Sequence, residues 1–271
     1  MPQNGVRKKD SIKPVAKPYL TGKPWNQNSV RRALRIFGIM AAFAFAWLIV
    51  GSALNMESTV LRVLLNGALI LVLLAVMFNQ GASDGDTDVS FGEICYMQKK
   101  EGRKVSPDDE ARCYHKLHGL LAGLAGVLPY LVVAVIYAVT AVKQVYSLQT
   151  LPAWVSAYSG IEGVGDALVY YQREVAVTAA DIMRIIVRVL CLPYVNMFAY
   201  SGADLMLLVD RLSPVFMLLP AVAYWIGCLQ GPRSRALVHG SIQFSQRRKE
   251  RKRLREQKKR NARKPENREI V

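Results

Sequence analysis

Residues 36–56 read IFGIMAAFAFAWLIVGSALNM, which is 21 residues without a single Asp, Glu, Lys, Arg or His. Three more such runs follow, of 21, 24 and 21 residues, at 63–83, 119–142 and 212–232. An α-helix rises about 1.5 Å per residue and the hydrocarbon core of a bilayer is about 30 Å thick, so about 20 apolar residues cross it. The sequence therefore predicts an all-α integral membrane protein built as a four-span helical bundle.

The four spans define a membrane domain with polar segments around and between them. The domain covers 36–232, and its spans are placed at about 36–56, 60–80, 119–142 and 212–232. An arm of residues 1–35 comes first; it has four prolines and no helical or strand period, so we expect it to be disordered. Spans two and three are joined by a 79–118 loop, and spans three and four by a 143–211 segment. A basic tail, 233–271, ends the chain.

Lysine and arginine are concentrated in three of these segments. The arm carries nine, the 79–118 loop six and the tail fifteen, which makes 30 of the 36 in the chain. Cytoplasmic flanks of membrane proteins carry the excess of Lys and Arg. We therefore predict a multi-pass protein of the cell membrane with the loop and both termini in the cytoplasm, and with the 143–211 segment outside.

The tail holds the densest charge in the sequence. Between Arg247 and Lys264 there are twelve Lys or Arg and two Glu, a net charge of +10 in 18 residues without an apolar stripe. Such a segment is stabilised by anionic lipid headgroups or by nucleic-acid phosphates. Its candidate binding residues are Arg247, Arg248, Lys249, Arg251, Lys252, Arg253, Arg255, Lys258, Lys259 and Arg260. Three interpretations stay open: a solvated orientation signal, a ligand of anionic lipid, and a contact with the ribosome or other RNA.

The outer segment has charges that follow a helical period. They are Asp166, Arg173, Glu174, Asp181, Arg184 and Arg188, with apolar residues between them. Because charges are costly inside a bilayer, we predict an amphipathic helix over 166–188 at the outer interface. Its polar stripe Asp181, Arg184 and Arg188 either lines a polar cavity or is satisfied by an internal pair of Asp181 with Arg184. Residues 189–203 are predicted to be re-entrant or buried, and for 175–203 an interfacial, a re-entrant and a spanning placement all stay open.

Local signals predict where helices begin and end. Residues 81–88, GASDGDTD, are dense in turn formers and predict a break after span two. Ser106 and Pro107 are typical of a helix start, and one helix is expected from there to about Val142. Arg62 is expected to extend its charge to the outer water. Glycines on span three, at 119, 123 and 126, favour close packing of another helix.

Two groups of residues are candidates for metal binding, and each is a poor match. Asp84, Asp86 and Asp88 alternate as in a calcium loop, but the Gly and Glu that such a loop requires later are missing. Residues of the kinds that zinc prefers occur at Cys95, Cys113, His115 and His118, without the paired spacing of a zinc knuckle. We expect neither a metal nor a cofactor, and no catalytic motif stands out.

These patterns favour a non-enzymatic membrane scaffold or accessory protein that presents a basic cytoplasmic tail to anionic lipid or RNA. The alternative is a small transporter or channel component whose polar path is lined by the 166–188 helix. Its predicted surroundings are the lipid bilayer and, at the tail, anionic lipid headgroups or RNA. The sequence indicates no particular substrate, protein partner or oligomeric state.

Overall fold

The structure is a computed structural model that describes residues 14–51, 53–54, 56, 58–142, 157–161, 163–164, 179–199 and 202–263. It is 82% helix, and these ranges contain no strand. The α-helices are α1 Gln27–Gly51, α2 Thr59–Lys100, α3 Pro107–Arg112, α4 His118–Thr140, α5 Ala179–Leu190, α6 Leu192–Met197, α7 Ala203–Leu229 and α8 Gly231–Arg263, with a short 3-10 helix at Ala157–Gly160.

Four helices are long and apolar enough to cross a membrane. They are α1, α2, α4 and the stretch Asp204–Lys259, which contains α7 and most of α8. The predicted all-helical class is thereby confirmed, as is the presence of four helices long and apolar enough to span a membrane.

Contacts divide the chain into two compact units. The first, here the polar unit, comprises residues 1–26, 80–119 and 226–271, as far as they are described. The second, the apolar unit, comprises 27–79 and 120–225. The three parts of the polar unit come from the three segments in which Lys and Arg are concentrated.

The apolar unit is held together by close helix contacts. Helix α1 packs against α5 and α6, and the Asn196 side chain donates to the Gly51 carbonyl over 3.1 Å. A Cβ added at Gly126 would lie 2.8 Å from the carbonyl oxygen of Ala33, and one at Gly123 would lie 3.1 Å from that of Ala221. The glycines of the third span therefore permit close approach of α1 and α7, as their spacing predicted.

The charge of Arg62 does not extend to water. Its side chain is only 1% exposed, and its Nη1 donates to the Met56 carbonyl over 3.0 Å. Asn66 beside it donates to the carbonyls of Arg62 and Leu54. The prediction for Arg62 was wrong because the turn between α1 and α2 presents backbone carbonyls that take up the guanidinium.

Helix α2 continues through residues 81–88, where a break was expected. Its buried positions in this stretch, which include Gly81, Gly85, Val89 and Gly92, recur with the helical period. The glycines lie on the packed face, so they allow a close neighbour instead of ending the helix. The three aspartates are therefore residues of a helix and not of a solvated turn, which corrects the prediction for this loop.

A second correction concerns the helix expected from Pro107 to Val142, which is two helices. Ser106 and Pro107 do occupy the cap and first position of α3, although the Ser106 side chain makes no capping hydrogen bond. Helix α3 ends at Arg112, and α4 begins at His118. The chain turns between them because Cys113 and Tyr114 are buried and because backbone donors from residues 22 and 23 take up the carbonyls of Tyr114 and Ala111.

Those donors belong to the N-terminal strap, residues 14–26, which is the extended first part of the polar unit. Val15 N–H donates to the Ala236 carbonyl over 2.9 Å, and Leu20 N–H donates to the Gly92 carbonyl over 3.1 Å. The expectation of disorder was therefore wrong for 14–35, because the strap finds helix carbonyls to pair with and α1 already begins at Gln27. The first 13 residues of the arm lie outside the described residues.

The predicted outer helix is described in part. Residues 166–178 lie outside the described residues, whereas α5 covers 179–190. Within the segment that follows it, α6 buries Pro193, Tyr194 and Asn196. Burial of this short, proline-containing helix agrees with one of the two placements predicted for 189–203.

Candidate polyanion-binding helix

The first turns of α8 are docked on the second half of α2 through glycines. A Cβ added at Gly85 would lie 2.5 Å from the carbonyl oxygen of Cys228, and one added at Gly231 would clash with the backbone of Gly85. Both positions thus require glycine, because no side chain fits between the two backbones.

A buried carboxylate fixes the direction of α8. Glu93 on α2 is paired with His239 Nε2 at 2.8 Å and with Arg235 Nε at 3.2 Å. Only 12% of the Glu93 side chain and 8% of the His239 side chain are exposed. Charge-assisted hydrogen bonds in such surroundings are strong and directional, so this cluster holds the two helices in one register.

The register of the two helices shows how far α2 runs alongside α8. Glu93 and His239 are 146 positions apart, and the contact of Gly85 with Gly231 has the same offset. The two helices therefore run parallel, and Lys100, the last residue of α2, is level with Gln246. The dense cation run begins at Arg247, directly beyond the end of its neighbour helix.

A cleft of about 500 Å³ opens beside the Glu93 cluster. Its charged lining consists of Lys17, Glu93, Glu101, Arg235 and His239. Arg235 and His239 are already engaged with Glu93. The cleft is thus a mixed-charge surface, and its polar groups serve first to dock the strap and α8 on α2.

Beyond Gln243, the surface of α8 is open. Every residue from Phe244 to Lys259 is exposed. This stretch contains nine of the ten candidate binding residues; the tenth, Arg260, is helical, and its side chain lies outside the described residues. All ten candidate residues belong to α8, which extends to Arg263.

The exposed cations are concentrated on one side of α8. With about 100° per residue, seven of the nine fall within an arc of about 140°. They are Arg247, Arg248, Arg251, Lys252, Arg255, Lys258 and Lys259. Both acids of the stretch, Glu250 and Glu256, lie outside that arc. We call these seven residues the cationic face; its fixed positive charges suit an extended array of phosphates.

The polar stripe of the outer segment is satisfied inside the apolar unit. Arg184 Nη1 lies 3.0 Å from Asp181 Oδ1, which is the internal pair that the spacing allowed. Arg188 forms a two-pronged pair with Asp210, at 3.2 and 2.7 Å, and Asp210 is only 4% exposed. The other charges of the stripe, at positions 166, 173 and 174, lie outside the described residues.

The four zinc candidates separate into two unrelated contacts. Cys95 and Cys113 interact electrostatically, and the Cys113 thiol donates to the Asp109 carbonyl over 3.5 Å. His118 Nδ1 lies 3.3 Å from Asp88 Oδ2. The His115 ring accepts a hydrogen bond from Leu117 N–H over 3.1 Å. Within the described ranges, no group of three or more His, Cys, Asp or Glu is arranged to hold a metal.

Cys113 is also unsuited to nucleophilic chemistry. Burial raises the pKa of its thiol to about 12, with smaller contributions from Cys95 and nearby carboxylates. A thiol with such a pKa is protonated at physiological pH, and only the thiolate is a nucleophile or a metal ligand. This pair therefore has the character of core residues.

Sequence reasoning missed the pairing of three acids that organise the structure: Asp88, Glu93 and Asp210. Each binds a basic side chain far away in sequence, respectively His118, Arg235 with His239, and Arg188. Glu93 lies only four positions from the hydrophobic core residue Val89 on the same helix. An acid four positions from a core residue lies on the same face of the helix, so a buried ion pair was predictable for Glu93. Its partners were not predictable, because they are distant in sequence.

No protein-family model matches the chain, and no curated protein and no solved structure is similar to it. Functional inference therefore depends on the residues and their geometry alone.

Proposed function

We propose that this protein is a non-enzymatic membrane scaffold or accessory protein that anchors a cationic helix and presents it to an anionic partner in the cytoplasm. The observation that carries the proposal is the exposed end of α8. Its sixteen consecutive exposed residues, Phe244 to Lys259, include nine cations. A helix held rigidly at one end and exposed at the other is suited to presenting charge.

Insertion in a membrane is supported by the outward surfaces of the apolar helices. Only 22% to 39% of each apolar window is buried within the protein. Large side chains such as Phe45, Leu64, Leu71 and Val139 are at least 64% exposed. Surfaces of this kind are unfavourable in water and match the hydrocarbon interior of a bilayer.

A cytoplasmic position of the polar unit is supported by two independent observations. The distribution of Lys and Arg assigns the arm, the 79–118 loop and the tail to the same side. Contacts between the strap, α2 and α8 bring these same three segments together, as in the bonds of Ala236 with Val15 and of Gly92 with Leu20. Segments on opposite sides of a bilayer could not pair in this way.

The alternative function, a transporter or channel component, receives less support. It depended on the stripe Asp181, Arg184 and Arg188 lining a polar path. Each of these side chains has an oppositely charged partner within the apolar unit. The pair of Arg188 with Asp210 joins α5 to α7, and the pair of Asp181 with Arg184 lies within one turn of α5. These contacts account for the three charges without a polar path.

The orientation is tested by labelling Lys258→Cys in the full chain with a membrane-impermeant maleimide. The four native cysteines are buried and free, so the introduced thiol is the intended reactive one. We expect labelling only after permeabilisation of the cells. Labelling in intact cells would place α8 outside and refute the proposal.

Presentation of charge is tested with the purified full chain in nanodiscs of neutral lipid. We expect salt-sensitive binding to at least one of two probes, an RNA duplex or vesicles that contain phosphatidylserine, at about 50 mM salt. Binding to neither probe would exclude the proposed function and return the tail to the role of an orientation signal.

A further inference from the structure

The position of the cationic face distinguishes between its two candidate partners. The apolar runs of α2 and of the last span end at Ser83 and Pro232, and the contact of Gly85 with Gly231 places these two ends side by side. If the bilayer surface lies at the ends of the apolar runs, both helices leave it together and in the same direction, because they are parallel.

The distance of the face from that surface follows from the helix rise. Arg247 is 15 residues beyond Pro232 and Lys259 is 27 residues beyond it, which correspond to about 22 Å and about 40 Å along α8. The field of anionic headgroups falls off over a Debye length of about 8 Å at physiological salt. The first cation of the face already lies more than two such lengths away.

Bending α8 back to the membrane would require breaking it or undocking it. The Glu93 cluster and the two glycines fix its first turns. Between Ser241 and Arg263 the helix contains neither Gly nor Pro, which are the usual sites of a sharp kink. The face is thus held away from the lipid headgroups next to its own spans.

We propose that the partner of the cationic face is the phosphodiester backbone of a nucleic acid and not the anionic lipid of the protein's own membrane. This inference depends on the proposed function and names its partner. A helix that carries cations at intervals of three and four residues repeats charge about every 5–6 Å, which is comparable to the spacing of phosphates along one strand. The proposal does not include recognition of base sequence, because contacts to phosphates carry no sequence information directly.

The test uses the full chain in neutral-lipid nanodiscs and measures binding of a labelled 20-base-pair RNA duplex and of the matched DNA duplex by fluorescence anisotropy at several salt concentrations. We expect affinity to fall by about a thousandfold between 50 and 200 mM salt if about six phosphates are contacted. Tighter binding of RNA would identify RNA as the source of the phosphates, tighter binding of DNA would identify DNA, and both results support the inference.

Two double variants distinguish the effect of cations on the cationic face from the effect of net positive charge. Arg251→Gln with Lys258→Gln removes two cations on the face, and Arg253→Gln with Lys249→Gln removes the same residue types outside it. The first should weaken binding about tenfold or more and reduce the slope of log affinity against log salt by about 1.8, since each phosphate contact contributes about 0.9. The second should change both quantities far less. Equal losses in the two variants would overturn the assignment of the face.

The last experiment repeats the binding measurement in nanodiscs in which phosphatidylserine replaces part of the neutral lipid. We expect the affinity for nucleic acid to stay within about threefold, because the face lies beyond the reach of the disc's headgroups. A loss of tenfold or more would show that the disc's own lipid occupies the face and would overturn the inference. Binding to anionic vesicles without binding to either duplex would also overturn it while leaving the proposed function intact; binding to neither would remove both.

Discussion

The two halves of α8 both carry arginine, but they lie in opposite surroundings. In the first half, residues at 231, 235, 239 and 243 are buried or half-buried in a row along the helix, and Arg235 is bound to Glu93. In the second half every described residue from Phe244 on is exposed. The difference is set by α2, which ends level with Gln246 and supplies a carboxylate to the first half only. Arg235 is therefore structural because α2 provides its carboxylate, whereas the cations beyond Gln246 are exposed to a partner.

Thiol reactivity should show the largest contrast between supported and exposed positions. Cys113 lies in the supported part of the polar unit with a pKa raised to about 12, whereas Lys258→Cys introduces an exposed thiol with an ordinary pKa near 8.5. At pH 7 the thiolate fractions differ by about three orders of magnitude. Maleimide labelling followed by mass spectrometry should therefore modify position 258 at least a thousand times faster.

The sign of the pH dependence provides the control. A raised pKa keeps the Cys113 thiol protonated up to about pH 12, so its labelling should stay negligible from pH 6 to 9, while that of position 258 rises with pH. In denaturant both thiols should react at similar rates. Rapid labelling of Cys113 in the folded protein would show that the 113–117 turn opens readily and would contradict the packing described for it.

Loss of Glu93 should have the largest effect on stability. Glu93→Ala leaves Arg235 and His239 without their shared carboxylate, and removing one partner of a buried pair costs about 3 kcal/mol. The matched change Glu250→Ala lies in the exposed half and should stay within about 0.5 kcal/mol. Denaturant unfolding of both variants in nanodiscs measures the difference. Equal stabilities would mean that the Glu93 cluster does not hold α8 on α2.

The sequence was sufficient for the features that composition determines. Runs of apolar residues located the four long apolar helices, and glycines at 123 and 126 indicated a close helix contact. The +10 charge of the tail indicated a segment outside any core, because burying so many charges is costly, and residues 244–259 are exposed. The pair of Asp181 with Arg184 was predictable for a similar reason, as three positions along one helix bring two side chains together.

Features that depend on long-range contacts could not be predicted in this way. The turn formers at 81–88 remain helical because glycine 85 meets a backbone 146 positions away. Arg188 pairs with Asp210 on another helix, and the strap is ordered by carbonyls of α2, α3 and α8. In each case the local propensity is weak, and tertiary contacts decide the conformation.

The glycine contact between the supported halves gives the next prediction. Alanine is favoured over glycine in a helix by about 1 kcal/mol, but a Cβ at Gly85 would lie 2.5 Å from the Cys228 carbonyl oxygen. Forcing the backbones apart costs about 1–3 kcal/mol, so after the gain in helix propensity Gly85→Ala should destabilise the protein by up to about 2 kcal/mol. Gly67 on the same helix has nothing within 4 Å, and Gly67→Ala should be neutral or stabilising. Opposite signs in thermal unfolding confirm the contact, whereas stabilisation by both changes would refute it.

The smallest effect is expected when the same substitution is made in the two halves of α8. Arg235→Gln removes a charge-assisted hydrogen bond to Glu93, but His239 still binds that carboxylate and a quarter of the Arg235 side chain is exposed. A loss of about 1 kcal/mol is therefore expected, less than for a fully buried pair. Arg251→Gln removes a cation that is surrounded by like charges at Arg247, Lys252 and Arg255, so stability should change by less than about 0.5 kcal/mol, with a slight gain from reduced repulsion. Unfolding at low and high salt separates these causes, because screening should abolish the gain at Arg251 and leave most of the loss at Arg235. A loss at Arg251 as large as that at Arg235 would mean that the exposed half of α8 also packs against the protein, and the cationic face would then not be free for a nucleic acid.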